Sequence, residues 1–226
     1  MVSTKLNVLF EDNHLLAVNK PAGLPTMGAA AGRPSLVQQA RQYIKNRYGK
    51  PGNAYVGVVS RLDALVTGVV LLARTSKAAD RLTRQFAAGE PRKTYWAVVE
   101  QPLAVSSGGL VDWLWHDDQR QRVVVTEAGA HDAKEARLTY RTLKRLARGI
   151  LIEIELETGR KHQIRVQLAH HGSPILGDAK YGSAQAFAAG IALHARKLEL
   201  LHPVRQTPLI LEAPLPTSWK SLRIDG

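Results

Sequence analysis

Three segments of this 226-residue chain set charged side chains among apolar ones in ways that could carry chemistry. In Val59-Ser60-Arg61-Leu62-Asp63, an arginine and an aspartate flank a leucine; Thr67-Gly68 and the apolar run Val69-Val70-Leu71-Leu72 follow. A carboxylate placed just before a buried strand loses hydration and needs a cationic or hydrogen-bonding partner. Taken alone, an Arg-Leu-Asp is more often a loop ion pair. In Arg92-Lys93-Thr94-Tyr95-Trp96, two cations stand at the start of an aromatic strand, an arrangement suited to a nucleic-acid groove. On its own it more often describes an ordinary strand with Tyr95 in the core. The third segment, Thr158-Gly159-Arg160-Lys161-His162-Gln163-Ile164-Arg165-Val166, follows a strand and opens a helix. Helix amino-terminal N–H groups with Arg160, Lys161 and Arg165 would make an anion site, against the plainer reading of a solvated basic helix start.

Several chemistries find no support. His170 and His171 are adjacent on a helix and point apart, and no carboxylate falls at ligand spacing, so no metal site is expected. There is no Cys, which excludes disulfides and thiolate metal sites. Neither phosphate-cradling glycine fingerprint is present, and no G-x-S-x-G elbow, so nucleotide cofactors and serine hydrolysis are unsupported. The net charge of +12 favours a polyanionic partner, nucleic acid ahead of an anionic membrane. Helix-turn-helix and zinc-finger spacings are missing, which weakens a DNA-binding reading. The first twenty residues hold no long apolar stretch and already carry Glu11 and Asp12; nothing later approaches a membrane span. The expectation is a soluble, cytoplasmic chain, monomeric by default.

The elements that must position these segments mix strands and helices. Val8–Glu11 and Leu15–Asn19 read as strands about an Asp12-Asn13 turn. Ser35 can cap a helix over Leu36–Tyr48 that Gly49 stops. Val69–Ala73 reads as a buried strand. Thr75 or Ser76 caps a second helix, with Leu82 and Phe86 on one face and Gly89 at its end. Further strands are expected at Thr94–Val99, Val123–Thr126, Arg137–Leu143 and Ile150–Glu157, then a helix near Gln163–His171 closed by Gly172, and strands near Leu193–Leu201 and Pro208–Glu212. Pro25–Pro34 and Gln101–Gly109 are expected surface loops. The fold class is α+β, with a largely antiparallel mixed β-sheet and flanking helices.

Taken in order, the motifs resemble the RluA-type family of RNA pseudouridine synthases over nearly the whole chain. The resemblance rests on Glu11-Asp12-Asn13-His14-Leu15-Leu16-Ala17-Val18-Asn19-Lys20-Pro21-Ala22-Gly23, on Arg61-Leu62-Asp63 with Thr67-Gly68, and on Lys93-Thr94-Tyr95. The Thr158–Val166 segment, Leu176-Gly177-Asp178 with Tyr181-Gly182, and Leu193-His194-Ala195 with His202-Pro203 complete it. Each is weak alone; together, in the family's order, they are strong.

The resemblance implies one pseudouridine synthase catalytic domain over residues 1–226, with a central catalytic cleft and no separate amino-terminal RNA-binding domain. It implies isomerisation of uridine in structured RNA, ribosomal first and transfer RNA second, without cofactor or metal. Asp63 would be the essential carboxylate, attacking C6 or C1′ or acting through a glycal. Tyr95 would stack on the uracil and Arg165 would hold Asp63 ionised. Arg61 would fill the gap left by a flipped uridine. Lys93, Arg160, Lys161, His162 and Gln163 would contact RNA. The sequence departs from the family pattern at Ser60, where His is usual, and at Ala64, Val66 and Gln167. The competing reading is a non-catalytic RNA-binding or assembly protein on the same fold, which would not need Asp63, Tyr95 and Arg165 together.

Overall fold

The computed structural model describes residues 6–28, 34–49 and 52–224. The middle of the expected loop Pro25–Pro34, residues 29–33, lies outside the described residues. The chain divides into two compact units, Met1–Pro91 with Ala195–Leu215, and Arg92–His194 with Pro216–Gly226.

In the first unit, β1 (Val8–Glu11) and β2 (Leu15–Lys20) form an antiparallel hairpin. Asp12 makes the turn: its Oδ1 accepts from the N–H groups of His14 and Leu15, both at 2.8 Å. β4 (Thr67–Ala73) pairs antiparallel with β2, and the two-residue β3 (Gly57–Val58) pairs with β4. With β10 (Leu193–Leu201) and β11 (Pro208–Glu212) the strand order is β1-β2-β4-β10-β11.

Helices cover both faces of this sheet, which explains why β2 and β4 are almost uniformly apolar. Period-two alternation sends Leu16, Val18, Val70 and Leu72 to one face, against Leu36, Val37, Ala40 and Ile44 of α1 (Leu36–Tyr48). Leu15, Ala17, Val69 and Leu71 go to the other, against Ala78 and Leu82 of α2 (Ser76–Ala87). α1 begins with a reciprocal capping box between Ser35 and Gln38 and ends at Gly49 with φ +58°.

The second unit is an antiparallel meander in the order β5-β9-β8-β6-β7: β5 (Arg92–Val99), β6 (Ser107–Asp117), β7 (Arg122–Thr126), β8 (Lys134–Leu146) and β9 (Gly149–Leu156). α3 (Gln163–His170) follows, and Leu114, Val123, Ala136, Val166 and Tyr181 pack as one cluster.

The architecture is the expected α+β, but β6 corrects the sequence reading. Residues 107–109, expected to end the surface loop Gln101–Gly109, open an eleven-residue strand instead. Its inward face carries Leu110, Asp112 and Leu114, all buried, while Val111 and Trp115 point out and are exposed. A carboxylate inside and hydrophobics outside hide the alternation that would have announced the strand. β8 is also longer at both ends than Arg137–Leu143. Among the described residues, no helix is long and apolar enough to cross a membrane.

Candidate active site

In the first unit, the loop carrying Asp63 is held on both sides of that residue. On one side, Thr26 Oγ1 donates to the Leu62 carbonyl at 2.9 Å and accepts from the Leu62 N–H at 3.1 Å. On the other, the Ala64 carbonyl accepts from the Gly23 N–H at 2.8 Å and from Lys20 Nζ at 3.1 Å. Asp63 itself closes a turn, its carbonyl accepting from the Val66 N–H at 3.1 Å. The carboxylate is half-buried on a backbone that has little freedom left.

Lys20 is the unusual member. It is fully buried at the end of β2, and its Nζ donates to the carbonyls of Pro21, Leu24 and Ala64 at 2.9, 2.8 and 3.1 Å. Burial pulls its pKa down to about 7, against the pull of the Asp63 charge, which raises it. Gly68 shows why a glycine follows the loop. With φ +114°, a Cβ there would lie 2.2 Å from the Ala195 carbonyl oxygen of β10. Ser60, at the position where the family has His, bridges to the backbone of Leu71, accepting its N–H at 3.3 Å and donating to its carbonyl at 3.4 Å. Arg61 is exposed.

In the second unit, Tyr95 is half-buried on β5, opposite Ile154 of β9. Lys93, two residues earlier on the strand, is half-buried too, and burial lowers its pKa. Arg165 sits in α3 with 3% of its surface exposed. Its Nε and Nη2 grip Asp178 Oδ2 and Oδ1 at 2.7 and 2.8 Å, a two-pronged pair with a carboxylate that is 1% exposed. The guanidinium carbon lies 5.0 Å from the centre of the buried Tyr181 ring. His162 Nδ1 stands 2.8 Å from the Tyr181 hydroxyl, which also accepts the Val123 N–H at 3.2 Å. Burial raises the Tyr181 pKa, with Asp178 adding to it and the N–H of Val123 and the guanidiniums of Arg165 and Arg122 opposing.

The residues expected to meet RNA divide by exposure. Arg160 and Lys161 are exposed, with Lys161 Nζ 2.7 Å from His116 Nε2. Gln163 is buried: its Oε1 accepts from Thr158 Oγ1 and the Arg160 N–H, and its Nε2 donates to the Arg137 carbonyl. Its amide fastens the turn that presents Arg160 and Lys161. Gln167, one of the departures from the family pattern, is fully buried and donates to Asp112 Oδ2 at 2.8 Å. Sequence reasoning gave no role to Lys20, Thr26 or Asp178. Lys20 and Asp178 stand inside quoted motifs, and a charged residue amid apolar ones was the signal available for Lys20.

Residues 14–170 match the family model described as RNA pseudouridylate synthase. The chain is 38% identical to ribosomal large subunit pseudouridine synthase D of Xanthomonas campestris, over 96% of this chain and 68% of that protein. It is 33% identical to tRNA pseudouridine synthase C of Salmonella typhimurium, over 95% of this chain and 87% of that protein. The solved structure of human RNA pseudouridylate synthase domain containing 4 superposes with a TM-score of 0.79 at 26% identity, covering 96% of this chain and 93% of that one. The chain belongs to the RNA pseudouridylate synthase family, in its RluA-type branch.

Proposed function

We propose that this protein isomerises uridine to pseudouridine in ribosomal RNA, with transfer RNA as the second candidate substrate. The observation that carries the reading is the Asp63 loop, pinned at Leu62 by Thr26 and at Ala64 by Lys20 and Gly23. A carboxylate on so restrained a backbone is preorganised for one reaction geometry. The ribosomal substrate is supported by the relative named ribosomal large subunit pseudouridine synthase D, and transfer RNA by the relative named tRNA pseudouridine synthase C.

In the reaction, the N1–C1′ bond breaks, the base turns, and a C5–C1′ bond forms. C5 then loses its proton, and N1 carries one. Nothing is oxidised or reduced. Asp63 is the reacting carboxylate. Tyr95 stacks on the uracil, and its hydroxyl is placed to move a proton late in the reaction. Arg165, its fork gripped by Asp178, is the third residue assigned to the reaction. Arg61, Lys93, Arg160, Lys161 and His162 contact the RNA, and Gln163 acts by holding the turn that presents Arg160 and Lys161. The same reading makes the protein a cytoplasmic monomer.

The test is tritium release from RNA labelled at C5 of uridine. The parent protein should release it, and Asp63→Asn should release none while binding RNA with near-parent affinity. Release by the Asn variant would remove Asp63 from the chemistry. No release by the parent from either RNA would favour a binding or assembly role.

A further inference from the structure

Arg122 opens β7, the last strand in the sheet order of the second unit, and it is a cation without a counter-charge. The residue is half-buried, and its Nε is covered and meets no hydrogen-bond partner among the described residues. The carboxylates around it are engaged elsewhere. Asp117, opposite Arg122 across the β6–β7 hairpin, faces Arg120 at 3.7 Å. Asp118 Oδ1 lies 2.8 Å from His116 Nδ1, and Asp178 is gripped by Arg165. What Arg122 has is the Tyr181 ring, whose centre is 5.0 Å from its guanidinium carbon. A partly desolvated cation with only a π-face beside it is short of negative charge, and an anion arriving from solvent would supply it.

Neighbouring contacts hold this guanidinium in place. Residues 121–123, at the start of β7, each touch the turn formed by Ala179–Tyr181. Lys180 Nζ donates to the Gln121 carbonyl at 2.6 Å, the Tyr181 ring meets Arg122, and the Tyr181 hydroxyl accepts the Val123 N–H. Lys180 is exposed and its partner is a neutral carbonyl, so it brings a second positive charge to the same edge of the sheet. Lys161 brings a third: its partner is the ring of His116, which stands opposite Val123 in the hairpin. The distance to Arg165 is bounded as well. Its guanidinium carbon is also 5.0 Å from the centre of the Tyr181 ring, so the two guanidiniums lie within about 10 Å, twice 5.0 Å, of each other.

We propose that Arg122 and Lys180 together bind a phosphate of the RNA backbone close to the target uridine. The proposal rests on the reading that the protein acts on RNA and that Arg165 belongs to the reaction. It gives the β6–β7 hairpin a part in holding the substrate. The guanidinium offers paired N–H groups to phosphate oxygens, and the ammonium adds a point charge. Such a contact carries no base preference, so it fixes the position of the strand and not its sequence.

The experiment uses the whole purified protein and a fluorescein-labelled single-stranded oligouridylate, read by anisotropy across a salt series. Arg122→Gln should flatten the slope of log affinity against log salt by about 0.7, the loss of one phosphate contact, and weaken binding about five-fold at 0.1 M salt. Lys180→Gln should flatten the slope similarly. Arg122→Lys keeps the charge and should keep the parent slope, which separates a lost contact from a lost structure. Arg84→Gln removes the same charge from the exposed face of α2, where Arg84 pairs with Asp80, and should leave the slope unchanged. A parent-like slope in both Arg122→Gln and Lys180→Gln overturns the proposal. So does an equal loss in Arg84→Gln, which would make net charge the whole cause, or in Arg122→Lys. Tritium release by the parent separates the two readings. Release with unaltered slopes in the variants defeats the phosphate site alone; altered slopes without release defeat the reaction and leave the RNA contact standing.

Discussion

Arg165 and Asp178 form a two-pronged ion pair in the second unit, and both are buried. Breaking such a pair leaves an orphan charge, which destabilises more than the pair itself stabilises. Arg165→Met should lower stability by about 3–5 kcal/mol, and adding Asp178→Asn should recover part of it. Urea denaturation of the four members of the cycle measures the coupling; simple additivity would mean that the two side chains do not depend on each other. Lys20 makes a different prediction. Its pKa falls from 10.5 to about 7 on folding, so between those values the unfolded chain holds a proton that the folded one has released. The Lys20 contribution to stability therefore rises as pH climbs from 7 to 10.5 and is lost as pH falls through 7, with a slope of at most about 1.4 kcal/mol per pH unit. The stability difference between the parent and Lys20→Met should widen over that window; parallel curves would show that the ammonium keeps its proton in the fold. Asp63, Tyr95 and Arg165 could be singled out in the sequence because their types and order carry meaning. Asp178 could not be matched to Arg165, since nothing in a one-dimensional pattern says which carboxylate folds back thirteen residues to meet a guanidinium. The same holds for Gln163, whose neighbours are exposed while its own amide is spent inside the turn.

At the level of elements, the loop that bears Asp63 is only as steady as the strand that follows it. β4 starts at Thr67-Gly68, where the backbone of β10 passes too close for any side chain at residue 68. Gly68→Ala should therefore cost about 4 kcal/mol or more, whereas Gly89→Ala should cost about 1 kcal/mol. Gly89 also has a positive φ, +73°, but no atom stands within 4 Å of its missing Cβ. Comparing the two melting temperatures separates backbone strain from collision, and equal losses would contradict the close approach. α1 and β4 were legible because each keeps one period along its length: a capped 3.6-residue stripe in the first, an unbroken apolar run in the second. β6 was not, because Asp112 faces inward on bonds from Gln167 and His171 while Trp115 faces out. Tertiary partners, which a local pattern does not contain, decide such a strand.

For the molecule as a whole, the charge of +12 makes the strongest general statement. Contacts between Lys or Arg and phosphate release counterions, so affinity for RNA should fall on the order of 10³-fold between 50 and 200 mM salt. A flat dependence would show that the basic side chains are not what holds the RNA. The composition was legible at a glance; the division of the chain was not. The boundaries of the two compact units could not be read off, because contacts between residues a hundred positions apart leave no local mark. That division also bears on how the protein is made. The first unit begins within Met1–Pro91 but receives Ala195–Leu215, which include most of β10 and all of β11, only after roughly a hundred further residues. At about 5–20 residues per second, a nascent chain leaves the apolar edge of β4 without its neighbour for on the order of 5–20 s. During synthesis this protein carries an unfinished sheet at its leading end, and the interval is one in which a chaperone, or another nascent copy, can reach that edge before its own strand does.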